Sequence, residues 1–149
     1  MAENHRLVFE CAVPAAFEKV ISRFDINLFR ALCPAFPKVR IIRFDGIEEG
    51  DLVELCLDLF LVKWQWSGKV VSYYQSEEEL RFVDSGLKLP PFLGSWLHAH
   101  IVKQSGSGCI IVDEISFSPA PGWPAFLVKW MIRMQMQPRK KIYRKYFAS

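Results

Sequence analysis

The chain opens on an alternation. From Arg6 to Val13, Leu7, Phe9, Cys11 and Val13 fall on one face and Arg6, Val8, Glu10 and Ala12 on the other, the two-residue period of a half-buried strand. The period then lengthens: Pro14 suits a first helical turn, and Phe17, Val20, Ile21 and Phe24 recur at helical spacing until Asp25 and Asn27 disturb it. A second short helix is predicted from Asn27 to Leu32.

Pro34 and Pro37 bracket a turn, after which Val39–Phe44, Asp51–Val62, Lys63–Tyr74 and Glu79–Ser85 read as successive strands. Asp45-Gly46 with Glu49-Gly50, and then Gln75 to Glu78, are connections of hairpin size, whereas the join after Leu61 carries no turn signal. Leu93–Lys103 and Cys109–Phe117 form a further hairpin around Gln104-Ser105-Gly106-Ser107-Gly108, whose small residues permit a tight or bulged turn. Pro119, Pro121 and Pro124 end the strand region. Beyond Pro124, Phe126, Leu127, Trp130, Met131 and Met134 give an apolar helical face that Ile142, Tyr143 and Tyr146 extend. Pro138 interrupts that helix, removing a hydrogen bond at a cost of about 3 kcal/mol, and predicts a bend near Gln135.

The order of elements is therefore strand, two helices, about six more strands and a terminal helix. Connections this short pair sequential strands antiparallel, so the predicted fold is α+β: a curved sheet of about seven strands around a long C-terminal helix, in one domain over residues 1–149. An apolar cavity is expected between the two layers.

Composition narrows the class. Across 149 residues the hydrophobic share is 51%, enough for a substantial core, yet charge or proline breaks every apolar run before the roughly 18 residues of a membrane span. Met1-Ala2-Glu3-Asn4-His5-Arg6 lacks the features of a secretory signal, and a cytoplasmic location is expected. Cys11, Cys33, Cys56 and Cys109 are widely spaced without a C-x-x-C pair, so neither a zinc ribbon nor a redox motif is suggested and the thiols are expected to be reduced. A net charge of +3 does not argue for nucleic-acid binding. Arg139, Lys140, Lys141, Arg144 and Lys145 crowd the last turns, either as a solvated face matched to the helix dipole or as a weak contact for an anionic surface.

Candidate chemistry centres on one strand. Trp96, His98 and His100 project to one face at intervals of roughly 6 to 7 Å. Asp113 alternates with Ile111 and Ile115 on the next strand; if that row faces the same layer, its carboxylate accepts a hydrogen bond from an imidazole and raises that imidazole's pKa. Three readings stay open: a polar corner in an apolar pocket, a structural network tying strands together, or a pair in water on the outer face. Two histidines at this spacing would also need a third metal ligand, for which Cys109 and Asp113 are the nearest candidates, and no fourth is evident; no metal or cofactor is predicted. No G-x-S-x-G, H-E-x-x-H or phosphate-loop motif occurs, leaving acid–base work by His98 or His100 as the enzymatic alternative. Trp66, Phe82, Trp130, Met131 and Met134 are candidate contacts for an apolar ligand, with core packing the alternative at each.

The segment Phe82-Val83-Asp84, then Pro91-Phe92-Leu93-Gly94-Ser95-Trp96-Leu97-His98-Ala99-His100, then Val112-Asp113-Glu114-Ile115 resembles the F-x-D, P-F-x-x-W-x-H-x-H and D-x-I pattern of a bacterial subgroup of the SRPBCC or START-like superfamily. The resemblance spans nearly the whole chain. It implies the helix-grip fold and a cavity of the kind used by pollen-allergen-type carriers, lipid-transfer domains and polyketide cyclases. Members of the subgroup occur alone or fused to sugar-epimerase-like proteins, and some carry a cell-division-inhibitor label that is not transferred to this chain. Where the subgroup has an L-P-x-G-x-L-G segment after the last strand, this chain has Ser118-Pro119-Ala120-Pro121-Gly122-Trp123, a departure that bears on the cavity mouth.

Overall fold

A computed structural model describes residues 3–148. The elements are β1 (His5–Val13), α1 (Phe17–Ser22), α2 (Ile26–Leu32), β2 (Lys38–Phe44), β3 (Leu52–Asp58), β4 (Lys63–Gln75), β5 (Glu79–Lys88), β6 (Leu93–Ser105), β7 (Gly108–Pro119), α3 (Ala125–Met136) and α4 (Arg139–Tyr146). All seven strands form one antiparallel sheet in the order β1-β7-β6-β5-β4-β3-β2. Hairpins account for every neighbour except β1, which pairs with β7 and leaves α1 and α2 to carry the chain to the far edge at β2.

Local chemistry sets these boundaries. Asp25 caps α2, its carboxylate accepting from the backbone N–H groups of Asn27 and Leu28 at 3.0 and 3.2 Å. The strand expected to run from Asp51 to Val62 stops at Asp58: Leu59-Phe60-Leu61-Val62 make the turn into β4, with the Leu59 N–H donating to the Val62 carbonyl and Phe60 at φ +71°. An apolar turn of this kind carries no glycine or asparagine, which is why its sequence gave no signal. The C-terminal helix is interrupted at Gln137 and Pro138, close to the bend expected near Gln135. It runs as α3 and α4, with Gln137 and Pro138 both in helical backbone conformation between them.

Two buried clusters hold the helices to the concave face. At one end Phe17, Val20, Leu28 and Leu32 pack with Val70, Leu80, Val102, Tyr143 and Phe147; at the other, Val128, Ile132 and Met136 meet Leu7, Phe9, Ile115 and Phe117. Fully burying one such side chain contributes about 1.5 to 3 kcal/mol, so each cluster anchors one end of the C-terminal helix independently. The space between the clusters remains open.

Candidate functional site

That space is a cavity of about 470 Å³, within the range that takes a drug-sized molecule. Its walls are mainly apolar: Leu55 and Leu57 from β3, Trp64 and Trp66 from β4, Phe82 from β5, Trp96 from β6, and Trp130, Met131 and Met134 from α3. Polar side chains gather on one wall, where His98 and His100 join Asp84 from β5 and Arg139 from the first turn of α4.

The histidines are held by a diagonal pattern across three strands. In the ladders Asp84 stands opposite His98, and Asp113 opposite His100. Each carboxylate nevertheless bonds the other histidine: His98 Nε2 lies 2.8 Å from Asp113 Oδ1, and His100 Nε2 lies 2.7 Å from Asp84 Oδ2. Diagonal neighbours on one sheet face are within reach of long side chains, and this offset lets the imidazoles stack, with ring centroids 3.7 Å apart and planes 27° from parallel. Phe82 stacks on the outer face of His100 at 4.4 Å, and Trp96 meets His98 edge-on at 5.9 Å. Tyr143 donates its hydroxyl to Asp113 Oδ2 at 3.2 Å, and the Arg139 guanidinium lies 3.6 Å from Asp113 Oδ1.

Electrostatics follow from this packing. Burial opposes ionisation of Asp113, but the hydrogen bond from His98 and the positive charge of Arg139 outweigh it, holding the carboxyl below its usual range. Asp84 is likewise depressed against its burial, chiefly by the hydrogen bond from His100. For His98 the expected rise is reversed: burial, aided by His100, pushes its pKa down, because the ring is only 5% exposed and desolvation outweighs the carboxylate. A neutral His98 facing an acceptor-only carboxylate carries its proton on Nε2. Burial and the Asp113 charge push the Tyr143 hydroxyl up, so it stays a donor. Among the described residues no buried side-chain nitrogen or oxygen lacks a hydrogen-bond partner.

Of the residues singled out from sequence, Trp66, Phe82, Trp96, His98, His100, Trp130, Met131 and Met134 all line the cavity. Asp113 does not. At 2% exposure it sits behind the histidines and reaches the cavity only through them. Arg139 leaves the proposed basic surface and turns inward, while Lys141, Arg144 and Lys145 stay exposed. Asp84, Arg139 and Tyr143 were missed as site residues. The alternation that pairs Phe82 with Asp84 could have found the first; the helical spacing of Arg139 and Tyr143, four apart, could have found the others once the sheet partner was known.

Asp84, His98 and His100 also offer donor atoms that lie within 4.8 Å of one another, a set that suits a transition metal by chemistry. The geometry is less suited. A metal takes the imidazole lone pair in the ring plane, and two nearly parallel stacked rings aim theirs side by side, while both Nε2 atoms already engage carboxylates.

No protein-family model and no curated protein matches the sequence. Solved structures do match its shape. The allergen Ara h 8.0201 superposes with a TM-score of 0.68 at 14% identity, covering 98% of this chain and 99% of that one. Norcoclaurine synthase from Thalictrum flavum gives 0.68 at 12%, covering 97% and 87%. StfQ, a di-domain ARO/CYC protein of the steffimycin biosynthetic pathway, gives 0.71 at 8%, with 97% of this chain on 51% of that one. At such identities the likeness concerns architecture, and in architecture the chain has the helix-grip, pollen-allergen-like fold.

Proposed function

We propose that the protein binds a small hydrophobic molecule, a lipid, polyketide or aromatic compound, in the cavity between its sheet and its C-terminal helix. The observation that carries this reading is the cavity itself: about 470 Å³ of mainly apolar space with its polar groups confined to one wall. The polar wall suggests how the molecule is oriented. Two carboxylates, Asp84 and Asp113, face one guanidinium, Arg139, so even a protonated His100 leaves no surplus positive charge. Such a wall favours a hydroxyl or carbonyl group over a carboxylate, with His98, His100 and Arg139 as its partners. Native mass spectrometry of gently purified protein, with fatty alcohols, fatty acids and aromatic polyketides as competitors, tests this. One bound molecule displaced by alcohols in preference to acids is expected; no retained or added ligand at any concentration would remove the reading.

A second reading is enzymatic, favoured by the Asp84–His100 pair, whose imidazole reaches the cavity with its carboxylate behind it, an arrangement suited to proton transfer at a bound carbonyl compound. Norcoclaurine synthase and the ARO/CYC protein show that catalysts share this architecture. Under it, His100→Gln abolishes turnover of an aromatic or polyketide substrate while leaving its binding intact. We also read the chain as a member of the bacterial subgroup whose histidine motif it resembles, and as cytoplasmic, in keeping with four free cysteines.

A further inference from the structure

The two ends of the sheet differ in chemistry. By register, the connections at residues 33–37, 59–62, 89–92 and 120–124 share one end, and those at 45–51, 76–78 and 106–107 share the other. Loops ordinarily carry polar residues, yet the four connections at the first end contain no charged side chain. At the second end, residues 45–51 and 76–78 hold Asp45, Glu48, Glu49, Asp51, Glu77 and Glu78 and no lysine or arginine.

The uncharged end is also unusually bare. Phe60 is 86% exposed and Leu61 98%, and Phe60 stacks on Phe36, itself exposed, at 5.9 Å. On α3, Phe126, Trp130 and Met134 recur at four-residue spacing and stay exposed as a stripe. Gln135 of that helix donates to the Phe36 carbonyl at 3.4 Å, tying stripe and loop into one surface. Trp123 extends it, packed 6.0 Å from Phe92. Leaving a contiguous apolar surface of this kind in water is unfavourable, and such patches mark interaction sites.

Cations border this surface. Lys38 follows the first loop directly, Lys63 the second, and Lys88 precedes the third, while Lys129 and Arg133 interleave the α3 stripe; Asp58, and Glu3 leading into β1, are acidic side chains at the same end. Aromatic and aliphatic side chains at the tip with lysine and arginine just behind match an apolar layer beneath an anionic one, while the other end carries both its loop carboxylates and the α4 cations Lys141, Arg144 and Lys145. We infer that this end docks on the surface of an anionic phospholipid bilayer, with Phe60 and Leu61 entering the acyl boundary and the bordering cations engaging phosphate. The docking does not depend on which molecule the cavity holds.

Flotation of the full chain with phosphatidylcholine vesicles, with and without about one third phosphatidylglycerol, tests the inference directly. Partition is expected to be stronger on the anionic vesicles and to weaken in high salt. Phe60→Ser/Leu61→Ser should lower it by at least about ten-fold, since two apolar side chains lose their burial. Glu48→Gln/Glu49→Gln at the opposite end should leave it unchanged. A melting curve and a cavity-probe titration run alongside confirm that the serine variant is folded and keeps its cavity. Absence of partition on either vesicle, or partition indifferent to the serine variant, would overturn docking without touching the cavity reading. So would a concentration-dependent dimer that the serine variant abolishes in protein that ignores vesicles, since a second copy would then cover this face.

Discussion

His98 Nε2 lies 2.8 Å from Asp113 Oδ1, a buried bond between neighbouring strands that also fixes the stacking face offered to His100. The pair braces β6 against β7 and sets the angle of the His100 ring stacked on it.

Removing the anionic partner leaves buried groups without compensation. Asp113→Asn is expected to destabilise the fold by about 3 kcal/mol, because Arg139 and Tyr143 lose the charge they face. Urea unfolding should show a lower midpoint with an unchanged slope. His100→Gln, at a less enclosed position, should cost clearly less than His98→Gln.

Acid sensitivity has a definite sign. The folded state holds His98 neutral where the unfolded chain protonates it, at an ordinary imidazole value of about 6.5. Below that pH the unfolded state binds more protons, so stability rises with pH through the region and is lost on acidification. Asp113 adds to this at lower pH: its depressed pKa contributes stability above the ordinary carboxylate range, lost as the pH falls through its folded value. Melting temperature should decline as the pH is lowered from about 7 to 5, and His98→Gln should flatten that decline.

The β6–β7 hairpin holds two glycines of different necessity. A Cβ on Gly108 would lie 2.3 Å from the Val13 carbonyl oxygen and 3.3 Å from the Pro14 Cα, both backbone atoms, so Gly108→Ala should cost about 2 kcal/mol or more. Gly106, at φ +58° with open space around it, needs only the left-handed conformation, and Gly106→Asn should be nearly neutral in the same urea assay.

Filling the cavity should separate binding from folding. Leu55 lines it, beside Trp66 in the ladder. Leu55→Trp is expected to lower affinity for an apolar fluorescent probe by about ten-fold or more while changing stability by less than about 1.5 kcal/mol, since the added ring enters open space.

Periodicity was a good guide wherever one face of an element is buried. The alternation from Leu7 to Val13 and the helical spacing of Phe17 and Val20 both reappear as buried residues. It failed at the turn formed by Leu59 to Val62, since Phe60, Leu61 and Val62 are exposed apolar residues that mimic a continuing strand. The site was partly legible: the histidine row and Trp96 could be placed on one face by counting. Counting within a strand cannot reveal partners on other elements, so the sequence marks Asp84 as a neighbour of Phe82 and part of a motif, not as the partner of His100. Arg139 was grouped with surface cations, because charge alone does not tell a solvated arginine from one turned toward a buried carboxylate.

The proposed binding in the cavity is tested most directly at its methionines. Met131, Met134 and Met136 line the cavity, and Met136 is buried while Met134 is largely exposed. In a methyl-labelled protein titrated with an anilinonaphthalene probe, the NMR signals of Met131 and Met136 should shift together along one saturable 1:1 isotherm. A shift confined to Met134, or none at any of the three, would contradict binding inside the cavity.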